Sequence, residues 1–431
     1  MQPPSFARRP PTRASLALAV VLAALTAFLV ATGSGQRAQA AGSLTQVPNF
    51  GSNPGALQMY DYVPTSAQPN APLVVALHGC TQQASDYYND SGWPKYADQW
   101  GFDLVFPQQT SANNSLECFD WFTSSDDTRG NGEAASIIQM VQYMQAHYSI
   151  DASRIYVTGL SAGGGMTADL LADYPDVFAA GSVDSGLPAQ CATAGSTSAS
   201  PCQSGTVNKT VAQWAALATN SDPGYSGPWP RVAIWQGTSD YTVNPANATD
   251  LMDQWTGVWG ISQTASSTAS LTGGTTESIY NDASGKPAVE MYMISGMGHG
   301  LAVNPGSGTA QCGTTGAYFL NYICSTYYTA VFWGLNGSGS GSSSSATASP
   351  STSPTPSASA SPSSSPSSTW SPKCFTESNY QQTVDGHAYQ SGGYTYANGS
   401  NQNMGLWNIY TVHTLEETSS GYYVIADAHC P

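Results

Sequence analysis

Residues 154–175 read RIYVTGLSAGGGMTADLLADYP, with one serine at the junction of two different patterns. A β-branched and aromatic strand pattern precedes Ser161, and a helical pattern stopped by Pro175 follows it. The glycines around Ser161 make room for a sharp strand-to-helix turn. In G-x-S-x-G such a turn exposes the serine at the carboxyl end of a strand, as a nucleophile requires. Glycine is abundant here, 43 of 431 residues, so a Gly/Ser-rich loop is the plainer reading. The strand before and the helix after argue for the catalytic turn, and the motif occurs only once.

The rest of the body repeats this alternation. PLVVALHG (72–79) predicts a buried strand, as do FDLVFPQ (102–108), RIYVTG (154–159), RVAIWQG (231–237) and VEMYMISG (289–296). A further strand is expected over 177–183. Residues 133–148 place Ile137, Met140, Val141 and Met144 on one helix face, and 166–175 predicts the helix after the turn. Strands alternating with helices at this spacing mean a mainly parallel sheet covered by helices, an α/β fold.

A serine hydroxyl needs a base, usually a histidine oriented by a carboxylate. In such sheets these partners follow the serine, on loops at the carboxyl ends of later strands. QGTSDYTV presents Asp240 after the strand 231–237, and SGMGHGLAV presents His299 after the strand that begins at 289. His78 precedes the serine, His147 ends a helix, and His387, His413 and His429 lie far toward the C-terminus. Asp184, Asp250 and Asp253 are rival acids, read as structural or surface carboxylates. The oxyanion formed by attack on an ester needs backbone N–H donors. Ala162, after the nucleophile, and Cys80, in the loop HGCTQ, are the candidates. The acidic stretch SSDDTRGNGE (124–133) lacks EF-hand spacing and is read as helix capping before Glu133. No metal or cofactor is expected.

The first 40 residues read as a signal peptide: Arg8, Arg9 and Arg13, an apolar run from Leu16 to Ala31, and Ala38-Gln39-Ala40 as cleavage site. Secretion is the expectation, with no membrane attachment once the peptide is removed. Removal leaves 7 basic against 27 acidic residues, a charge that repels nucleic acid. Eight cysteines without a C-x-x-C suit disulfides in an oxidising compartment. Neighbours along the chain give the simplest pairing: 80–118, 191–202, 312–324 and 374–430. Zinc fits none of these spacings.

Residues 337–372 are almost wholly Ser, Pro, Ala, Thr and Gly and read as a flexible linker. The linker separates a body, 41–336, from a small C-terminal module, 373–431, stapled by Cys374 and Cys430. Residues 374–431 hold nine aromatics and no Lys or Arg. Such a module could offer an apolar, hydrogen-bonding face to a neutral polymer. A monomer is expected.

LHGCTQ, ECFDWF, the elbow stretch through FAAG, GPWPRVAIWQGTSDYTVNPAN and SGMGHG together resemble the secreted poly(3-hydroxybutyrate) depolymerase esterases, a family that includes feruloyl and acetylxylan esterases. The resemblance covers nearly all of the chain after residue 40. It implies an α/β-hydrolase fold, a triad of Ser161, Asp240 and His299, and an oxyanion loop at His78-Gly79-Cys80, in the type 1 arrangement. The tail is similar to the substrate-binding modules of such depolymerases. It departs at DGHA, where His387 replaces an arginine of the motif. The expected activity is hydrolysis of a polyester; the alternative is a feruloyl or acetyl ester of a plant polysaccharide. A surface-binding protein with a relict hydrolase body is a third reading, against which the intact triad stands.

Overall fold

The structure is a computed structural model that describes residues 42–192, 199–337, 373–391, 394–406 and 412–427. The expected signal peptide and almost all of the expected linker lie outside these residues. Among the described residues no helix is long and apolar enough to cross a membrane.

The body is built on one ten-stranded sheet. In chain order its strands are β1 (Thr45–Val47), β2 (Gln58–Tyr62), β3 (Ala71–Leu77), β4 (Asp103–Gln108), β5 (Ile150–Leu160), β6 (Ala180–Asp184), β7 (Arg231–Gly237), β8 (Ser267–Leu271), β9 (Thr275–Asn281) and β10 (Pro287–Ile294). Their spatial order is β1-β2-β4-β3-β5-β6-β7-β10-β9-β8. The six central strands, β4 to β10, run parallel; the two strands at each edge are antiparallel to their neighbours.

All seven residues of β3 are buried, which explains its unbroken apolar run. Leu73, Val75 and Leu77 pack into the core on one face; Val74 and Ala76 pack into the core on the other. Helices α1 (Ala84–Asp90) and α2 (Trp93–Trp100) belong to the second core. Helices α3 (Gly132–His147) and α4 (Ala162–Asp173) belong to the first, through Ile137, Met140, Val141, Met144, Met166 and Leu170. Two layers of helices therefore enclose the sheet, an α/β-hydrolase architecture.

The helix expected to begin at Met166 begins four residues earlier, at Ala162. Its first turn is the glycine triplet itself, which sits where side chains have no room. A Cβ on Gly163 would lie 2.5 Å from the His78 carbonyl oxygen, and one on Gly165 would lie 2.7 Å from the Trp121 ring. The stretch before α3 departs from the capping role expected of it. Asn131, at the helix start, makes no side-chain cap, and the Glu133 side chain turns inward instead.

Among its described residues, the C-terminal segment holds two three-stranded sheets around a small core of Ala388, Ala397, Met404, Leu415 and Tyr423. His387 is part of that interior. Its ring lies 3.9 Å from Phe375 and 5.0 Å from Tyr423, and its Nδ1 pairs with Gln382 Oε1 at 2.9 Å. The substitution in the DGHA motif thus falls on a packed position rather than on an open face. Cys374 is disulfide-bonded; its expected partner Cys430 lies outside the described residues.

Candidate active site

Ser161 sits between β5 and α4 with φ 58° and ψ −117°, a strained backbone for any residue but glycine. Its N–H donates to the Asp184 carbonyl at 2.9 Å, and its own carbonyl accepts the Gly165 N–H at 2.9 Å. Both motif glycines are required for space rather than for φ. A Cβ on Gly159 would lie 2.3 Å from the Gly163 carbonyl oxygen, and one on Gly163 would meet the backbone of Leu77 and His78.

The loops after β7 and β10 bring Asp240 and His299 to this turn. His299 Nε2 lies 2.8 Å from Ser161 Oγ, and Nδ1 lies 2.8 Å from Asp240 Oδ2. The Asp240 carboxylate also accepts the Thr242 and Val243 N–H groups on Oδ1, at 2.9 and 2.8 Å, and Gln236 Nε2 on Oδ2, at 3.0 Å. A carboxylate so placed can only accept, so His299 carries its hydrogen on Nδ1 and offers Nε2 to the serine hydroxyl. The Asp240 side chain is fully buried and the His299 side chain is 7% exposed, a setting that holds the line rigid.

The rival residues lie elsewhere. Asp184 is buried beneath the elbow, where Thr158 and Ser182 hydroxyls donate to its carboxylate at 2.9 Å each. Burial pushes its carboxyl up to about 7. Asp250 and Asp253 lie on the helix Ala246–Trp259. His147 pairs with the Tyr143 carbonyl, and His413 with Asp427; His429 is outside the described residues. Among the described residues no group of three or more His, Cys, Asp or Glu is arranged to hold a metal ion.

Cys80, Ser161 and Ala162 border one cleft of about 230 Å³. Among the described residues neither the Cys80 nor the Ala162 N–H has an acceptor. Leu116, Trp121, Phe122, Leu187 and Val243 make the apolar wall of the cleft, and no charged side chain lines it. These residues carry no motif chemistry, and sequence reading gave them no role; ECFDWF was the one signal, since it supplies Trp121 and Phe122. Among the described residues disulfides join 80–118, 191–202 and 312–324, as the neighbour pairing expects. The first ties the Cys80 loop to the segment carrying the cleft wall.

His78, passed over as the base, is the first residue of the oxyanion loop that the resemblance implies. It is wholly buried. Its Nε2 accepts the Gln109 N–H at 3.0 Å, which leaves Nδ1 to donate to the Gly79 carbonyl at 2.7 Å. Burial lowers its pKa to about 4, so the ring stays neutral.

A family model described as esterase PHB depolymerase matches residues 57–280. The poly(3-hydroxyalkanoate) depolymerase C of Paucimonas lemoignei is 52% identical over 296 residues, 68% of this chain and 71% of that protein. The feruloyl esterase B of Talaromyces stipitatus is 39% identical over 289 residues, 65% of this chain and 77% of that protein. Among solved structures, the acetyl xylan esterase from Aspergillus awamori is 34% identical, with a TM-score of 0.56, over 60% of this chain and 94% of that one. The fold, the elbow and the family match agree: the chain is a carboxylic ester hydrolase and belongs to the esterase PHB depolymerase family.

Proposed function

We propose that this protein is a secreted serine esterase that cleaves poly(3-hydroxybutyrate)-type polyesters through an acyl-enzyme on Ser161. The observation that carries the chemistry is the unbroken line Ser161–His299–Asp240, opening on a cleft where two N–H donors are free. The Ser161 Oγ attacks the ester carbonyl while His299 Nε2 takes its proton. The Cys80 and Ala162 N–H groups stabilise the oxyanion. Its collapse expels the alcohol end of the chain, which takes the proton from His299. Water, deprotonated by the same ring, then releases the acid and restores the serine.

An uncharged, apolar polymer suits the surroundings of the site. Among the described residues of the body, the exposed large apolar side chains are Leu116 and Tyr241, and both border the triad. Identity favours the polyester over the plant-wall ester, 52% against 39%. The structural likeness to an acetyl xylan esterase supports the second reading, an esterase of feruloyl or acetyl groups on polysaccharide.

The remaining organisation is part of the same proposal. Residues 1–40 direct export, into a compartment where disulfides persist. Residues 337–372 tether the body, 41–336, to the module, 373–431, which adsorbs to the solid substrate. The test is a comparison of three activities of the purified enzyme: clearing of a polyhydroxybutyrate suspension, release of ferulate, and release of acetate from xylan. Clearing is the expected result. Ferulate or acetate release without clearing would replace the polyester reading with the plant-wall one.

A further inference from the structure

Every backbone N–H of the loop Gly79–Gln82 except one is spent inside the protein. The Gly79 N–H donates to Gln82 Oε1 at 2.8 Å, Thr81 N–H to the Leu116 carbonyl at 2.6 Å, and Gln82 N–H to the Gly79 carbonyl at 3.3 Å. The Cys80 N–H is left over, at the edge of the cleft beside Ser161. Its direction is set by the peptide it belongs to. In a trans peptide the C=O and N–H point opposite ways, so whatever holds the Gly79 carbonyl aims the Cys80 N–H. His78 Nδ1–H holds that carbonyl, and the Gln109 backbone N–H holds His78.

Cys80 has a second attachment, through its sulfur to Cys118. Gln109 reaches this one too. Its side-chain Nε2 donates to the Cys118 carbonyl at 3.1 Å and to Glu133 Oε1. Glu133 Oε2 accepts the Asp120 N–H at 2.9 Å. Gln109 Oε1 accepts the Thr110 N–H at 2.9 Å and Asn113 Nδ2 at 2.8 Å. Both side chains are buried, 1% exposed. A buried amide and carboxyl cost stability unless every polar atom is satisfied, and apolar residues would fill the same space more cheaply. What this pair provides is a fixed geometry, and the geometry it fixes ends at Cys80.

We propose that Gln109 and Glu133 are positioning residues for oxyanion stabilisation. Their side chains hold the disulfide attachment by way of the Cys118 carbonyl, and the main chain of Gln109, which they anchor, holds the peptide plane by way of His78. The N–H is thus aimed before the ester arrives, which is what makes such a donor effective. Neither side chain lines the cleft. The inference rests on the reading of Cys80 N–H as an oxyanion donor to Ser161 chemistry.

The test uses the full chain with Gln109→Leu, Gln109→Glu and the double change Gln109→Glu/Glu133→Gln. Active sites are counted with a fluorophosphonate, and kcat and KM are measured on p-nitrophenyl butyrate. Phenylboronic acid serves as a probe that forms a tetrahedral adduct on the serine. Loss of a whole donor costs about 10²–10³ in kcat. A misaimed donor should cost Gln109→Leu about 10–100-fold per titrated site, with KM changed less than threefold. Boronate affinity should fall by the same factor. Gln109→Glu sets two carboxyls together; the double change restores an amide against a carboxyl in reversed order and should recover kcat at least tenfold over Gln109→Glu. A merely structural role would lower the melting temperature and the titratable fraction while leaving per-site kcat and boronate affinity alone. That result, or a double variant no better than Gln109→Glu, overturns the proposal. An unaltered enzyme that neither titrates nor hydrolyses would sink the serine esterase reading itself, and the inference with it.

Discussion

The His78 carbonyl oxygen lies 2.5 Å from the place a Cβ on Gly163 would occupy. Real Cβ atoms do not approach backbone so closely, and the Leu77 carbonyl oxygen is nearly as near, at 2.7 Å. The nucleophile turn and the Cys80 loop therefore touch through backbone alone. Gly163→Ala would push them apart, moving the Ala162 and Cys80 N–H groups relative to each other. Overpacking of this kind costs about 1–3 kcal/mol of stability. The expected result is a folded protein of lower melting temperature whose kcat on a soluble ester drops about a hundredfold or more. An alanine variant with unchanged kcat would show that the two loops can separate without disturbing the chemistry.

The triad makes a sharper prediction. Ser161→Ala should lower kcat by about 10⁶, the loss seen when a serine nucleophile is removed. Asp240→Asn should lower it by about 10⁴, since the imidazole loses the carboxylate that fixes its tautomer. The asparagine has a second problem here. Asp240 accepts from two backbone N–H groups and one amide besides His299, and an amide cannot accept on both ends. Circular dichroism should show both variants folded, and steady-state kinetics should show the loss in kcat rather than KM. A tenth of normal activity in Ser161→Ala would rule the serine out.

The three residues that the structure joins in one hydrogen-bonded line were legible in the sequence because each lies in a short motif at the carboxyl end of a strand. Ser161, Asp240 and His299 needed only the strand pattern and the chain order to be found. The Gln109–Glu133 pair was not legible. Its meaning lies in contacts that join the residue after β4, the segment 118–120 and α3, and no local period marks such a contact. The stretch before Glu133 reads as helix capping; burial of that turn against Gln109 gives Glu133 a different task. Gly163–Gly165 were read as turn residues, yet they form helix, because tertiary space outweighs the low helix propensity of glycine. The position of His387 was equally hidden: an alignment of motifs says that it replaces an arginine, and only the packing against Phe375 says where it points.

The buried acids predict how stability changes with pH. Burial pushes Glu290 up to about 8, and Glu133 and Asp173 likewise. The Tyr292 hydroxyl donates to Glu290 at 2.5 Å. Between pH 4.5 and 8 the folded protein keeps a proton on Glu290 that the unfolded chain has released, so stability falls as pH rises through that window. His78 acts the other way, but only below 6.5, where the unfolded chain binds a proton that the buried ring refuses. Above pH 6.5 the carboxyls act alone. The melting temperature should fall from pH 6.5 to 8.5. Glu290→Gln cannot ionise and should flatten that fall, by up to roughly 1.4 kcal/mol per pH unit. Melts of both proteins at three pH values check this; parallel slopes would mean that Glu290 ionises in the fold as easily as in the open chain.

The C-terminal module should matter on a solid and not in solution. On the proposed organisation, residues 337–372 tether the body to the module: a chain of that composition would hand no fixed geometry to Ser161, Asp240 and His299 and would only keep the body near what the module holds. Ending the chain after Asn336 should leave kcat and KM on a small soluble ester within twofold. On polyhydroxybutyrate granules the same truncation should lose most of the adsorption and much of the rate. The proposed adsorption would fall to its exposed rings. Tyr389 and Tyr422 are its large exposed aromatics among the described residues, and Tyr389 stacks on Tyr396 with ring centres 5.5 Å apart. The Tyr389 hydroxyl donates to Asn401 at 3.0 Å, which holds the ring in place. Tyr389→Ala and Tyr422→Ala in the full chain should weaken granule binding severalfold each, while soluble-ester kinetics stay level, because neither residue belongs to the body that carries the triad. Granule pull-down at equal protein concentration measures the effect. Unchanged binding in the truncated chain would move adsorption to the body, where Leu116 lines the cleft beside Ser161 and Tyr241 lies beside His299, and the double change Leu116→Ser/Tyr241→Ser would then be the variant that fails to bind.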